Sequence, residues 1–376
     1  MKIHAIAFIL VSVALLMMNC SSPEPAATGE PAKEEPKVEK EEPKPEKKAA
    51  NPDKRAPAYL LPYVDRNKAG FLGDDLQPYI SPTFSFNTQD PNWPYSFSEN
   101  LAAVTVNGKI GYINKVGEIS IAPQFEQAYN FKDGLALVKQ NGKYGFITPA
   151  GNFRIKPQYH DAKSFSNNLA AVQLQPDGSW SYINKVGTTA INGDYSKARS
   201  FSDGLALVQT SKYQEWGYIN SQGQWVITPQ YDDAGSFSEG LAPVQLEYRQ
   251  WGYINKSGEI VIPSQFLEAG SFSDGLAPVA MPENAQNLDS KKYGYINRKG
   301  QFVVKPIYEQ AFAYSNGAAR IVTGNRYAFI NTGGNLITDP IFSNAWNFKK
   351  GRAMVKVGDK YGYINKNGIF VVQPNQ

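Results

Sequence analysis

The sequence predicts an all-β fold made of eight tandem meander repeats, each about 35 residues long. Three observations predict it. Aromatic residues reach 13%, with 22 Tyr and 20 Phe, and they favour strands. Gly (32) and Pro (25) are plentiful and punctuate turns. A three-part motif recurs at near-constant spacing, while no long helical period is evident. With 376 residues and 42% hydrophobic content, the chain can bury a substantial core. The net charge of +4 is small, and no Lys/Arg cluster reaches the scale of a nucleic-acid footprint.

The first segment reads as an address. Residues 1–19 carry a short basic start (Lys2, His4) and an apolar run from Ala5 to Met18, too short for a dependable membrane span. The run stops at Asn19-Cys20-Ser21-Ser22 and resembles a bacterial lipoprotein signal, in which the cysteine becomes the lipidated first mature residue. Met18 and Asn19 depart from the small residues usual there. Cys20 is the chain's one cysteine, and it falls where lipidation needs it. Acyl chains bind a bilayer with about 0.8 kcal/mol per buried methylene, so two or three would hold the protein firmly. Residues 20–58 follow as a tether of interleaved Pro, Glu and Lys without apolar periodicity. Such composition cannot offset its ordering entropy, so disorder is expected, extended by Pro and mixed charge.

The repeats start at residue 97. One landmark is Gly-aromatic-Ile-Asn, as in Gly111-Tyr112-Ile113-Asn114, Gly217-Tyr218-Ile219-Asn220 and Gly362-Tyr363-Ile364-Asn365. Its eight occurrences step by 34, 36, 36, 35, 42, 34 and 34 residues. A second landmark precedes it, as in Phe201-Ser202-Asp203-Gly204-Leu205-Ala206, and a third follows, as in Pro229-Gln230-Tyr231. Asp-Gly signals a tight turn, and Asn107-Gly108 and Asn141-Gly142 signal two-residue hairpins. Each unit therefore reads as three strands. The third is expected to end at its Pro, which cannot donate to a ladder. The stretch from Phe125 to Phe131 is a fourth short strand or an irregular crossover. Along the second strand, Trp216, Tyr218 and Asn220 share one face, and this aromatic stripe reads as inter-repeat core. Gly217 leaves room for another backbone to approach.

These motifs, with Trp216-Gly217 and Trp251-Gly252, resemble the WG-repeat (KWG-repeat) family of bacterial envelope proteins over residues 97–376. The resemblance implies an architecture more than an activity. Residues 59–96 read as a degenerate partial repeat: Asn67-Lys68-Ala69-Gly70 echoes a turn and Pro82-Thr83-Phe84 the third landmark. Such a fragment can complete the last unit of a closed ring, so a propeller-like ring is favoured over an open β-solenoid with capped ends.

Chemistry is sparse. One histidine, His160, remains after processing; it occupies a loop position held by Glu126 or Asp232 elsewhere. Neither a triad nor a His/Cys metal site is expected, and no phosphate loop is present. No catalytic residue, metal or cofactor is assigned. Glu99, Asp133, Asp203, Glu239 and Asp274 supply one acid per repeat beside glycine, which reads as turn formation. Irregularity lies in the loops between first and second strands, chiefly an insertion from Met281 to Lys292. Tyr213, Gln214, Glu215, Tyr248, Arg249, Gln250, Glu283 and Asn284 are the expected binding rim. The resulting expectation is a membrane-anchored lipoprotein of the cell envelope, at the outer membrane. It would serve as a non-catalytic binding or scaffold platform for a protein or an envelope glycan. The alternative is a hydrolase on a propeller-like scaffold.

Overall fold

The computed structural model describes residues 57–86, 93–284 and 287–374, and every regular element in them is a β-strand. The signal segment, Cys20 and almost all of the tether lie outside the described residues. The described chain forms nine meander units, numbered here in order: 61–84, 101–125, 127–159, 161–198, 206–231, 241–266, 268–308, 310–342 and 344–372. The first was expected to be a partial unit. It is complete, with antiparallel strands Leu61–Asp65, Lys68–Leu72 and Pro78–Phe84. Its landmarks have decayed, yet alternating apolar residues and the turn at Arg66-Asn67 suffice to form the strands; both turn residues hold positive φ.

Unit 5 shows how the sequence builds a repeat. Asp203 and Gly204 both take positive φ (53° and 86°), and Ser202 and Leu205 exchange backbone hydrogen bonds of 2.9 and 3.1 Å. This primed turn opens the first strand, Ala206–Thr210. The second strand, Trp216–Ile219, pairs back on it. Asn220 then turns the chain: its Oδ1 accepts from the N–H groups of Gln222 and Gln224, both at 3.0 Å.

The third strand, Trp225–Tyr231, does not end at its proline. Trp216 pairs with Tyr231 and Tyr218 with Ile227, so Thr228, Pro229 and Gln230 face the single Gly217. Pro229 sits within a bulge, where no ladder donor is needed. Gly217 is required there: a Cβ would lie 2.7 Å from the Ile227 carbonyl oxygen and 2.8 Å from the Pro229 nitrogen. Two units lack this glycine; one keeps the bulge and the other loses it. Unit 4 has Ser181, and opposite it Gly193 stands where Pro229 stands in unit 5. Unit 8 has Ala328, and its third strand is reduced to isolated bridges, Ile330 to Leu336 and Tyr327 to Phe342.

From unit 2 onward the chain runs from each third strand straight into the next unit. Gln127–Ala128 is a short fourth strand that pairs with Ala136–Gln140 of unit 3. In Thr189–Ala198 the two segments are one continuous strand, shared by units 4 and 5.

The core lies between units. Because side chains alternate across a strand, Ala206, Val208 and Ile219 pack on unit 4, whereas Leu205, Leu207, Trp216 and Tyr218 pack toward unit 6. The second strand is thus buried on both faces. The second-strand ring meets the landmark aromatic of the following unit edge-on, as in Tyr218–Phe237 at 4.7 Å and Tyr253–Phe272 at 5.0 Å between centroids. Each such pair adds about 0.5–1.5 kcal/mol beyond its area.

The array closes on itself. Met354 and Tyr363 of unit 9 share one buried cluster with Phe71 of unit 1 and Val104 of unit 2. Tyr363 donates to the Pro62 carbonyl at 2.5 Å, and Arg352 Nη1 to the Tyr59 hydroxyl at 3.0 Å. Closure comes from face-to-face packing: unit 1 lends no strand to the sheet of unit 9. An open solenoid would leave Tyr363 exposed; here it is 5% exposed.

Candidate functional site

The recurring polar residues join neighbouring units. Ser202 Oγ donates to the Phe237 carbonyl of the next unit at 2.7 Å, as Ser166 does to Phe201 and Ser238 to Phe272. The recurring acids do more than form turns. Asp203 accepts from the Gly240 N–H at 2.7 Å, Asp274 from Gly317 at 2.7 Å, and Glu99 from Gly134 at 3.1 Å. Each carboxylate therefore caps the equivalent turn one unit on. The second-strand tyrosines likewise donate onward, Tyr218 to the Gly235 carbonyl and Tyr253 to that of Gly270, both at 2.8 Å. Burial pushes the Tyr218 and Tyr253 hydroxyls well above their ordinary range. Motif residues are thus taken up in holding the array together.

The rim residues stand at hairpin tips of units 5, 6 and 7. Tyr213 and Tyr248 are largely in solvent, 66% and 82% exposed. Lys212 lies over the Tyr213 ring at 4.7 Å. Gln214 and Arg249 hold positive φ (55° and 57°) as turn residues. Gln214 also accepts through its carbonyl from Gln209 Nε2 at 2.6 Å, while Glu215 immediately precedes its second strand and Gln250 begins the next one. Arg249 pairs with Asp289 at 2.6 Å and so ties the tip of unit 6 to unit 7; that carboxylate raises its already high pKa.

The Met281 to Lys292 insertion is not the loop expected. It lengthens the hairpin into a two-stranded arm, with Met281 opposite Lys292 and Pro282 opposite Lys291. Glu283 accepts from Ser290 and lies 3.7 Å from Lys292, and Asn284 Oδ1 accepts from the Asn287 N–H at 2.8 Å. The structure therefore brings Arg249 to the arm but leaves Glu283 and Asn284 bonded within it. Among the described residues no hydrogen bond or ion pair joins residues 213–215 to residues 248–250.

A second feature was not legible from the motifs. Beneath the tips, units 4 to 6 form an open cleft of about 870 Å³ lined by Lys163, Trp180, Lys197, Arg199, Trp216 and Asp232, with Asp233, Ser200, Gln209 and Gln245. Trp180 and Trp216 start equivalent second strands and form its floor, each nearly buried. Lys163 lies over Trp180 at 4.9 Å. Lys197 and Arg199 both lie over Trp216, at 5.7 and 5.6 Å. Gln209 is buried but bonded, accepting from Ser196 at 3.0 Å. The signal was present in the sequence as three tripeptides at equivalent positions: Asp161-Ala162-Lys163, Lys197-Ala198-Arg199 and Asp233-Ala234-Gly235. The alanine is buried each time, so its two neighbours share the outward face.

His160 is exposed, as a loop residue should be. Among the described residues no three His, Cys, Asp or Glu side chains converge.

The repeats match a known family. A family model described as "WG containing repeat" matches residues 110–144, 144–175, 180–212, 216–249, 251–281, 293–327 and 327–361. No curated protein sequence matches the chain. Among solved structures, BamB from Moraxella catarrhalis is similar at 11% identity and a TM-score of 0.43, over 72% of this chain and 94% of that one. Kluyveromyces lactis Hsv2 is similar at 7% identity and a TM-score of 0.41, over 65% and 94%. Virginiamycin B lyase from Staphylococcus aureus is similar at 13% identity and a TM-score of 0.35, over 64% and 92%. Each family match begins at or within a second strand and runs into the next unit's first hairpin, so the seven span more than half of the sequence and the interfaces that hold it together: the chain belongs to the WG-repeat family.

Proposed function

We propose that the mature chain is a lipoprotein of the bacterial envelope whose closed repeat array is a non-catalytic binding platform. Cys20 carries the lipid, and the tether to residue 58 sets the array off from the outer membrane. A protein or an envelope glycan docks on the hairpin tips of units 5 to 7. One observation carries this reading. The recurring side chains are bonded between units, whereas Tyr213 and Tyr248 project from successive tips with most of their surface in solvent. Exposed tyrosines of this kind provide large contact area at small entropic cost and are common anchors of interfaces.

The test is capture from envelope extracts by the full processed chain. Replacing Tyr213 and Tyr248 with Ser is expected to lower capture several-fold while leaving the unfolding midpoint in place. A Cys20→Ala chain is expected to leave the membrane fraction. Capture that is indifferent to both tyrosines would remove the rim, and unchanged partitioning would remove the anchor.

A further inference from the structure

The repeat supplies its own controls for the cleft. In every unit with a fourth strand, an outward pair flanks a buried or half-buried alanine and faces the second-strand residue just before the motif glycine or its substitute. In unit 3 the pair is Gln127 and Tyr129, and Gln127 accepts from the Tyr144 hydroxyl at 2.6 Å. In unit 4 it is Asp161 and Lys163, which form an ion pair at 3.1 Å. In unit 7 it is Glu268 and Gly270. Burial raises the Glu268 carboxyl, but hydrogen bonds from Lys291 and Tyr293 outweigh that and hold it below its ordinary range. In unit 8, Phe312 stacks on Tyr327, and in unit 9 Trp346 packs on Tyr361.

Unit 5 breaks the row. Lys197 and Arg199 both lie over the same indole, and among the described residues neither makes an ion pair. Asp232 and Asp233 line the same cleft without pairing with them. Two like charges held side by side over a nearly buried ring repel each other, and an anion between them would turn that repulsion into two charge-assisted bonds. The cleft is also lined by the carboxylates of Asp232 and Asp233 and the amide of Gln245, while the Gln209 amide beside Lys197 is already bonded to Ser196 and Gln214. Carboxylates accept from hydroxyl groups, and a free amide both donates and accepts. The cleft volume of about 870 Å³ falls in the range of roughly 300–1,000 Å³ typical of small-molecule sites.

We infer that this cleft binds an acidic saccharide, with its carboxylate or phosphate between Lys197 and Arg199 and its ring hydroxyls on Asp232 and Asp233. Lys163, already paired with Asp161, borders the anion site. The acids explain why a bare anion is not the full ligand: they would repel it unless hydroxyl hydrogens faced them. This inference rests on the binding-platform reading but places the ligand below the tips, on different residues.

The experiment is calorimetric titration of the full processed chain with four probes: a galacturonate tetramer, a neutral galactose tetramer, a glutamate tetramer and inorganic phosphate. The galacturonate is expected to bind best, and Lys197→Gln/Arg199→Gln is expected to weaken it by at least about tenfold, the loss of charge-assisted bonds. Both cations are exposed, so the fold should hold, and Lys299→Gln, an exposed turn lysine, should change nothing. Asp232→Asn/Asp233→Asn should weaken the galacturonate and strengthen phosphate. Equal binding of the glutamate tetramer or of phosphate overturns the saccharide assignment. Galacturonate binding that ignores the Lys197/Arg199 change overturns the site. If partner capture still depends on Tyr213 and Tyr248 while no saccharide binds, only the cleft inference fails; if both are lost, the platform reading fails with it.

Discussion

Asp203 shows how much one residue can carry in a repeat. It occupies a left-handed turn position (φ 53°), and its carboxylate caps the turn of the following unit through the Gly240 N–H at 2.7 Å. Asp and Asn tolerate that backbone better than other non-glycine residues. Asp203→Ala should therefore lose both the turn preference and the bond, about 1–2 kcal/mol on the scale of one hydrogen bond and a modest backbone penalty. Asp203→Asn keeps an acceptor oxygen and the turn preference and should be nearly neutral; unit 8 already uses Asn316 to accept from Gly351, at 3.4 Å. Paired denaturant melts check this. Equal losses in the two variants would mean that the charge, not the bond, does the stitching. The turn was readable from Asp-Gly alone, but the bond was not, because its donor lies 37 residues away.

At the scale of an element, the bulged third strand depends on an absent side chain. Gly217→Ala places a methyl 2.7–2.8 Å from backbone atoms of Ile227 and Pro229, which cannot step aside as a side chain could. The ladder must open, at a cost of about 3 kcal/mol or more, at the upper end of overpacking. Unit 4 suggests the remedy: Ser181 stands opposite Gly193. Gly217→Ser with Pro229→Gly should cost less than the sum of the two single changes, a coupling that a double-mutant cycle measures directly. Strict additivity would show that the unit 4 pair is coincidental. The sequence suggested a close approach at this glycine but misplaced the proline at a strand end. Proline's missing donor fits an end and a bulge equally well, and register decides between them.

For the molecule as a whole, closure equalises the ends with the middle. Tyr363 in the last unit is buried against unit 1 nearly as fully as Tyr218 is against unit 6. Tyr363→Ala and Tyr218→Ala should both destabilise by about 3–5 kcal/mol, the range for removing a large buried ring. An open array would spare the terminal position, so a much smaller loss at Tyr363 would count against the ring. Chemical unfolding of the two variants side by side is sufficient.

The sequence by itself determined the all-β class, the repeat and its turns, because Asp-Gly, Asn-Gly and alternating apolar residues act over a few bonds and need no distant partner. It also separated repeated residues from irregular ones, and so pointed at Tyr213 and Tyr248. Tertiary structure decided what short-range chemistry could not. It closed the ring through Tyr363 and Pro62, made residues 61–84 a full unit, and extended the Met281 to Lys292 insertion into strands. It also set Lys197 and Arg199 over Trp216, which lies 17 or more residues away in the chain. That cleft depends on which side chains share a face across three units, and only packing fixes which faces meet.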